Sequence, residues 1–570
     1  MRFASLRCAT LRNVPTTSIT FGQLGSLRPR LSEAARTDES NAEQAVNRFV
    51  ELRPGLAETL GSSRNHLITG RRGTGKSTLL HLVRRQLREE NVAVAVIDME
   101  RYKGRAFPDV LIEILIALLN EVQPRVRFAH LYGDFRLWWS FRRTRRELSK
   151  LLQEPQQVLN NLQRTASRGS DRGFAARAVM ATRGLDASAN LAGNASRLES
   201  LGQTAEFVEL KIERLQALAS RISSELRTLV ERSAQRRAIV FIDDFYFVRL
   251  ADQPWVLDYL QQVCKGTGTW LKVGGVGTRM NTFIDGDPPT GMQPNQDIDL
   301  LPIDIALDGI STAQRFLEEM LDGVLTPLDC STRQLFTDTA RSRMVLACGG
   351  AVARDYITLT TAALDVATDR LSKKGRVKDD DEIKIQTEDV NTAARRRVNE
   401  KEEKDLQADA GSDASRFLDR WRDICDFVRE QGNSAFILVR QRDLDQADWG
   451  AEIRQLENLR LLHRIRDTVP NTPNWRGVKT VVFMIDLGQV ANTRLRAGIP
   501  EFWKNTAQFD KLRRAEWVYL PEWREKLEAK PIGRTGTSTA VKTRAAKATG
   551  DDDREIADDQ IPTLFDSPPD

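Results

Sequence analysis

The segment Gly70-Arg-Arg-Gly-Thr-Gly-Lys-Ser77 constrains the fold of this chain more than any other. It matches the pattern G-x-x-x-x-G-K-[ST] and lies between a segment typical of a strand, His66–Thr69, and a segment typical of a helix, which runs from Lys76 to about Arg88. The glycines let the backbone turn its N–H groups toward an anion, and the following helix directs the positive end of its dipole to the same point. The segment therefore predicts a phosphate-binding loop in an α/β fold.

The phosphate-binding loop offers two specialised side chains besides its backbone. Lys76 supplies a mobile cation for the β- and γ-phosphates of a nucleotide, and Ser77 supplies a hydroxyl ligand for Mg²⁺. We expect nucleotide contacts from the whole loop and from the residue that follows it: Gly70, Arg71, Arg72, Gly73, Thr74, Gly75, Lys76, Ser77 and Thr78. The ligands that the motif predicts are a nucleoside triphosphate and Mg²⁺.

A strand that ends in two carboxylates is the expected partner of such a loop. Residues 238–244 read Ala-Ile-Val-Phe-Ile-Asp-Asp, five apolar residues followed by Asp243 and Asp244. We expect Asp243 to hold Mg²⁺ directly or through water, and Asp244 to position or deprotonate the attacking water. Asp98, at the end of the apolar run 94–98, is the competing candidate. It ranks second because a single acid at such a position more often caps the segment that follows.

Two later segments carry candidate sensors of the bound nucleotide. Residues 271–279 read as a strand and a Gly-rich turn, in which Thr278 or Arg279 would lie beside the γ-phosphate; the alternative is an ordinary turn. Residues 349–355, Gly-Gly-Ala-Val-Ala-Arg-Asp, open a helix from which Arg354 would reach the phosphates. The alternative for Arg354 is an ion pair with an acid on its own helix.

Together, these segments resemble the AAA+ class of P-loop ATPases over about residues 45–405, and within that class the origin-recognition-like and STAND-type bacterial ATPases. The resemblance implies ATP as the nucleotide, Mg²⁺ as the cofactor and ATP hydrolysis as the activity. It suggests defence against phage or maintenance of mobile elements as the biological setting. It gives the family's catalytic and metal-binding roles to Lys76, Ser77, Asp243, Asp244, Thr278 and Arg354.

Two departures from the family pattern bear on mechanism. Asp244 stands where AAA+ enzymes usually carry glutamate, so its carboxylate reaches less far toward the water and we expect slow turnover. STAND-type proteins often carry this pair of aspartates, which leaves a slowly hydrolysing signalling switch or scaffold without direct DNA binding as the alternative function. The long separation between Lys76 and Asp243 is consistent with a helical insertion at about residues 136–235. No residue is assigned as an arginine finger, and homo-oligomerisation stays open.

The rest of the chain is expected to be modular. The predicted fold class is α/β, a parallel P-loop NTPase sheet with helices on both faces, a helical insertion, a helical lid and a C-terminal winged-helix domain. The predicted boundaries are an irregular N-terminal segment (1–40), the P-loop core with its insertion (41–300), the lid (301–410), the winged-helix-like domain (411–525) and a disordered tail (526–570).

Composition argues against several classes of protein. The longest apolar stretch, residues 110–119, contains Glu113 and is about half as long as a membrane span, so we expect no membrane. The five cysteines and four histidines form neither a disulfide framework nor a metal-ligand pattern, and the chain is expected in the cytoplasm. Eighty-five Lys and Arg against 79 Asp and Glu give a net charge of +6, which permits nucleic acid as a partner without requiring it.

Residues 447–480 carry six basic side chains on the predicted helix and wing of the winged-helix-like domain. We expect this region to contact double-stranded DNA; the alternative is that the domain packs on the ATPase core as a regulatory lid. The basic residues are Arg454, Arg460, Arg464, Arg466, Arg476 and Lys479.

Three weaker features concern other partners. Residues 135–146 interleave aromatic side chains with arginines; we expect a helix anchored by its aromatic rings, with solvated arginines, and the alternative is a surface for nucleic acid or an anionic membrane. The insertion at 136–235 is a candidate site for a protein partner. Residues 560–565 in the tail are similar to short peptides that bind the bacterial sliding clamp.

Overall fold

The fold is that of a computed structural model of the chain. The structure describes residues 18–35, 41–122, 133–166, 194–373, 375, 378–400, 414–432, 434–490 and 499–528. The chain divides after Leu520 into two units, and the described part of the second unit contains one short helix, Trp523–Glu528. The rest of the predicted tail, including the clamp-like residues 560–565, lies outside the described residues. No helix within the described ranges is long and apolar enough to cross a membrane.

Strands of the described ranges form three sheets, and they are numbered here in chain order. They are β1 (His66–Thr69), β2 (Ala93–Asp98), β3 (Ala238–Asp243), β4 (Thr269–Gly275), β5 (Phe283–Ile284), β6 (Thr290–Gly291), β7 (Asp299–Pro302), β8 (Phe436–Arg440), β9 (Leu462–Thr468) and β10 (Thr480–Ile485).

The α-helices of the same ranges are also numbered in chain order. They are α1 (Leu24–Ala34), α2 (Ala42–Asn47), α3 (Leu56–Leu60), α4 (Lys76–Glu89), α5 (Asp109–Glu121), α6 (Gly133–Ala166), α7 (Asn194–Arg232), α8 (Gln253–Cys264), α9 (Ile310–Leu325), α10 (Thr332–Leu335), α11 (Asp338–Cys348), α12 (Ala353–Ser372), α13 (Thr387–Glu400), α14 (Ala414–Phe427), α15 (Gln441–Gln446), α16 (Asp448–Asn458), α17 (Leu487–Val490), α18 (Thr506–Asp510) and α19 (Trp523–Glu528).

The largest sheet has five parallel strands in the order β2-β3-β4-β1-β7. The register pairs Asp98 of β2 with Asp243 of β3, and Thr69 of β1 with Gly275 of β4. The carboxyl ends of these four strands therefore meet at one edge. Because connections leave parallel strands at that edge, it is where ligands bind in open α/β sheets.

Helices cover both faces of the large sheet, as the α/β prediction required. Alternate strand residues, including Ala95, Val240 and Leu271, are buried in one apolar cluster with residues of α5, α6, α7 and α8. α4 packs against β2, α2 and α3, and its buried side chains lie outside that cluster. The apolar runs of β2 and β3 are nearly unbroken because a sheet covered on both sides has no solvated face.

The predicted insertion is helical. α6 and α7 run antiparallel, because Thr144 donates to Glu225 at 2.7 Å while Glu147, further along α6, accepts from Arg221, earlier on α7. Both helices contribute side chains to the apolar cluster beneath the sheet. The described part of the insertion thus packs on the sheet, and residues 167–193 between its helices lie outside the described ranges.

The prediction of an irregular N-terminal segment is wrong for residues 21–34. A 3-10 helix, Phe21–Gln23, leads into α1, which packs against α9 and α12 of the lid. Arg28 of α1 pairs with Asp365 of α12 at 2.6 Å. The signal was present in the spacing of three leucines, which form the buried stripe of an amphipathic helix. They are Leu24, Leu27 and Leu31.

α9 to α13 form the helical lid, packed on one another after the sheet ends. The C-terminal region, defined here as residues 414–520, follows it with the order α14, β8, α15, α16, β9, β10 and an antiparallel sheet β8-β10-β9. Val518 adds a parallel bridge beside Leu438 of β8. This region belongs to the same compact unit as the large sheet, since β9 contacts residues 307–309 and α17 contacts α13.

Candidate functional site

The phosphate-binding loop joins β1 to α4 at the carboxyl edge of the large sheet. α4 begins at Lys76, and both Gly73 and Gly75 have positive φ angles, 82° and 93°. Buried Thr74 donates its hydroxyl to the carbonyl of Arg71 at 2.9 Å, which closes the turn. The loop therefore has the glycine-dependent backbone and the helix N-terminus that bind phosphate in other proteins.

The ammonium group of Lys76 lies inside this loop. Its Nζ donates to the carbonyl oxygens of Gly70 and Arg71, each at 2.9 Å, and the residue is 6% exposed. Burial lowers the pKa of Lys76, while the negative charges of Asp243 and Asp244 act against that change. The Lys76 ammonium group therefore lies within the electrostatic field of both carboxylates.

The paired aspartates face the loop from the end of β3. Burial raises the pKa of Asp243, and the nearby Ser77 hydroxyl opposes the rise, so the predicted hydroxyl and carboxylate ligands of Mg²⁺ are neighbours. Asp244 has a positive φ of 52°, and its N–H donates to Oδ1 of Asp243 at 2.9 Å. Burial, followed by the charge of Asp243, raises the pKa of Asp244 to about 6. The two carboxylates thus lie side by side in different surroundings, as separate metal and proton roles require.

Asp98, the competing acid, is the register partner of Asp243 on β2. Its carboxylate accepts a hydrogen bond from the N–H of Glu100 at 2.9 Å and so caps the 3-10 helix Met99–Tyr102. The prediction that this acid caps the following segment is confirmed.

The turn that follows β4 lies next to the end of β1. A Cβ atom built on Gly277 would lie 3.7 Å from the Cβ of Thr69, the last residue of β1. The N–H of Arg279 donates to the carbonyl of Val276 at 2.8 Å, and the carbonyl of Arg279 accepts from the Gln253 side chain at 3.0 Å. The backbone at Thr278 is therefore held beside the phosphate-binding loop, but its side chain lies outside what the structure describes.

Arg354 meets the loop through its backbone, in the first turn of α12. Its N–H donates to the carbonyl of Gly73 at 3.1 Å. The positive charge of Arg354 also lowers the pKa of Lys76, because the two cations lie in the same region. The structure thus brings the lid helix and the phosphate-binding loop into direct contact, as a sensor at this position requires.

Gly73→Ala is expected to destabilise the fold more than Gly75→Ala. Both glycines have φ near +90°, which costs an alanine about 1–2 kcal/mol. A Cβ on Gly73 would also lie 2.7 Å from the Cβ of Arg354, whereas a Cβ on Gly75 meets nothing within 4 Å. Overpacking of this kind costs a further 1–3 kcal/mol, roughly. Thermal unfolding without nucleotide measures the difference, and equal midpoints for the two variants would contradict the contact between loop and lid.

The side chains of Arg71 and Arg72 extend from the loop to other elements. The Arg71 guanidinium donates hydrogen bonds to both carboxylate oxygens of Asp304, at 2.6 and 2.8 Å. It also donates to the carbonyl of Gly349 at 2.8 Å. The guanidinium of Arg72 lies 5.0 Å from the centre of the Tyr246 ring. The Arg71 side chain is thus engaged within the chain, and the nucleotide contacts of both residues stay predictions. Asp304 and Tyr246 carry no motif and were not predicted.

Asp355 joins the lid to the C-terminal region. It is 3% exposed and accepts hydrogen bonds from Arg397 of α13 and from Arg460, which lies between α16 and β9. Gly349 packs directly against the ring of His463 in β9. The C-terminal region is thus bonded to Asp355, the residue that follows Arg354.

α16, the helix predicted to contact DNA, faces the candidate site. It packs against the turn at 277–279. Burial raises the pKa of Glu457 on this helix, and the charges of Arg464 and Arg71 act against that rise. Four of the six predicted DNA-contacting cations have partners within the chain. These are Arg454 with the carbonyl of Leu444, Arg460 with Asp355, Arg464 with Asp467, and Arg466 with the ring of Phe509.

Ser77 and Asp243 fit a magnesium ion that is shared with phosphate. A hydroxyl and a carboxylate that are neighbours provide the oxygen ligands that Mg²⁺ prefers. Protein sites usually hold this ion by one or two carboxylates together with substrate phosphates.

Residues 59–245 match the family model described as the KAP family P-loop domain. The chain carries a P-loop NTPase domain. The match covers about a third of the chain and includes the phosphate-binding loop, β2, β3 and both aspartates. With the five parallel strands and flanking helices, it confirms the parallel P-loop NTPase sheet with helices on both faces that the sequence predicted.

Solved structures also show similarity to this P-loop NTPase. The ORC1 protein of Aeropyrum pernix, solved in complex with DNA, is 12% identical, with a TM-score of 0.31 and coverage of 78% of this chain and 93% of that chain. Drosophila ORC bound to DNA is 10% identical, with a TM-score of 0.27 and coverage of 80% and 93%. TM-scores this low add nothing to the assignment, which rests on the loop, the sheet and the family match. No curated protein sequence matches the chain significantly.

Proposed function

We propose that this chain is a Mg²⁺-dependent ATPase whose C-terminal region responds to the bound nucleotide. The observation that carries the proposal is the grouping of Lys76, Ser77 and the aspartates 243–244 at one edge of the sheet. Loop amides and Lys76 bind the β- and γ-phosphates, because they supply donors and positive charge at a helix N-terminus. Ser77 and Asp243 hold Mg²⁺, which supplies charge neutralisation on the phosphates when bound.

Asp244 positions the attacking water and accepts its proton in this proposal. Its carboxylate follows Asp243 directly and lies within the field of Lys76. Aspartate reaches one methylene less far than glutamate, so we propose slow hydrolysis, as suits a switch. Thr278 and Arg354 are proposed to report the γ-phosphate to the lid, since the backbone of each lies against the loop or its strand.

The C-terminal region is proposed to be a winged helix that acts as a regulatory lid. The order of α14, β8, α15, α16, β9 and β10, with the long turn between β9 and β10, supports the winged-helix assignment. The packing of α16 against the 277–279 turn and the pair Arg460–Asp355 support the regulatory role over insertion of α16 into a DNA groove.

A second candidate function is contact between the wing and the backbone of duplex DNA. Arg476 and Lys479, in the turn between β9 and β10, are exposed. Cations at such a position are available to phosphate oxygens without base readout. The biological setting, defence against phage or maintenance of mobile elements, and a cytoplasmic location stay proposals that rest on the sequence.

Steady-state ATP turnover tests the proposed function, with Arg460→Gln as the informative variant. We expect turnover that disappears when EDTA removes Mg²⁺ and that rises several-fold in Arg460→Gln. Asp355 keeps Arg397 as a partner in this variant, so the lid stays folded. The C-terminal region loses its hydrogen bond to Asp355, and we expect turnover to rise because that region then restrains the lid less.

Arg440→Gln is the matched control, because it removes an arginine–aspartate pair, with Asp443, inside the C-terminal region. Equal turnover in the two variants would contradict the proposed coupling between the C-terminal region and ATP hydrolysis. Turnover that is indifferent to Mg²⁺ would contradict the ATPase proposal itself. Duplex DNA added to the same assay stimulates turnover only if the second candidate is right.

A further inference from the structure

The first turns of α6 expose aromatic rings that a packed helix would bury. Phe135 and Trp139 are each 53% exposed, whereas Leu137 and Phe141 on the same helix are 6% and 1% exposed within the apolar cluster. The expectation that the aromatic residues anchor this helix is therefore right for Phe141 and wrong for Phe135 and Trp139. Two large rings thus face outward on a helix whose apolar face is already buried.

One face of α6 combines these rings with four cations. A helix advances about 100° and 1.5 Å per residue, so positions 135, 136, 139, 143, 146 and 150 fall within an arc of about 100° and a length of about 22 Å. Between positions 135 and 150 no acidic residue falls within this arc; Glu147 lies about 20° beyond its edge and pairs with Arg143 at 3.1 Å. All six residues are exposed, and we call them the α6 stripe: Phe135, Arg136, Trp139, Arg143, Arg146 and Lys150.

We propose that the α6 stripe binds single-stranded nucleic acid. Cations spaced along a helix face complement the repeated negative charge of a sugar-phosphate backbone. Exposed rings between them provide platforms on which bases stack, and stacking tolerates any base sequence. Unpaired bases have free faces for such stacking and paired bases in a duplex do not, so the rings favour a single strand.

The stripe differs from a helix that lies on an anionic membrane. Such a helix buries a continuous apolar face among lipid chains. In α6 the aliphatic side chains Leu137, Leu148 and Leu151 are buried in the protein core, and the exposed stripe contains no aliphatic residue. Nucleic acid therefore matches the stripe better than a lipid surface does.

Binding of the full chain to a fluorescently labelled oligothymidine of about 20 nucleotides, followed by anisotropy without nucleotide, tests this proposal. Trp139→Ala is expected to weaken binding by roughly five- to hundredfold, the range that loss of one stacked base produces. Trp139→Phe keeps a ring and is expected to retain most of the affinity. Trp255→Ala is the matched control, because Trp255 is 49% exposed on α8 and lies outside the stripe.

The charge contribution is tested by the double variant Arg143→Gln and Arg146→Gln. The slope of log affinity against log salt is expected to fall by about 0.7 for each phosphate contact that is lost. Arg422→Gln, whose side chain is 68% exposed on α14, is the control and is expected to leave the slope unchanged.

Three results would overturn the proposal. They are the absence of binding to the single strand, an equal loss of affinity in Trp139→Ala and Trp255→Ala, and tighter binding to a duplex of the same length or to phosphatidylserine vesicles. The titration contains no ATP, so its outcome is independent of the proposed ATPase activity.

Discussion

Lys76→Ala is expected to weaken ATP binding by roughly ten- to hundredfold, the loss that removal of a charged hydrogen-bond donor produces. Its Nζ is buried inside the phosphate-binding loop and bonds only carbonyl oxygens of that loop at 2.9 Å among the contacts described. A phosphate group would offer the same ammonium a full negative charge. Displacement of a fluorescent ATP analogue from the purified chain measures the effect.

The matched control for this experiment is Lys504→Ala. Lys504 is a surface lysine, 58% exposed, that pairs with Glu501 at 2.6 Å. We expect its ATP affinity to equal that of the unaltered chain. Circular dichroism confirms that each variant is folded. ATP affinity that is unchanged in folded Lys76→Ala would remove this lysine from the site.

Asp244→Asn is expected to bind ATP normally and to lower kcat by about 10²–10⁴-fold, the contribution of a general base. Asparagine keeps the size of the side chain and one acceptor oxygen but cannot accept the proton from water. Single-turnover hydrolysis of radiolabelled ATP measures the loss, and the displacement assay measures the retained binding.

Two further variants make this second experiment specific. Asp98→Asn alters the neighbouring strand end, where the carboxylate caps the 3-10 helix Met99–Tyr102, and is expected to keep most of the turnover. Asp244→Glu extends the carboxylate by one methylene and is expected to raise turnover if reach limits the rate. A normal rate in Asp244→Asn with a lost rate in Asp98→Asn would exchange the roles of the two acids.

The loop and the strands that flank it could be predicted because their signals are local. Glycines at fixed spacing, an apolar run that ends in two acids, and a helix that begins at Lys76 determine the turn, the burial and the dipole with little help from distant residues. For the same reason β1 has its predicted bounds, and β3 lies within the predicted segment 238–244. The segments around residues 278 and 354 suggested sensor roles, and the resemblance implies the same roles.

What the sequence did not predict depends on contacts between distant segments. Asp304 follows the short edge strand β7 and gains its role only because Arg71 follows the neighbouring strand β1, far from it in sequence. Arg460 looked like a DNA-binding cation until the fold placed it on Asp355. Such pairings carry no periodicity or motif, since they depend on how the lid and the C-terminal region pack. The N-terminal helix α1 is different, because its leucine spacing alone predicts an amphipathic helix.

Calorimetric titration of the purified chain with ATP, in the presence of Mg²⁺, tests the central claim most directly. We expect saturable binding of one ATP per chain, and this binding is expected to weaken when EDTA removes Mg²⁺ or when Lys76 is replaced by alanine. A folded chain that binds neither ATP nor any other purine triphosphate would contradict the assignment of a nucleotide site to the phosphate-binding loop.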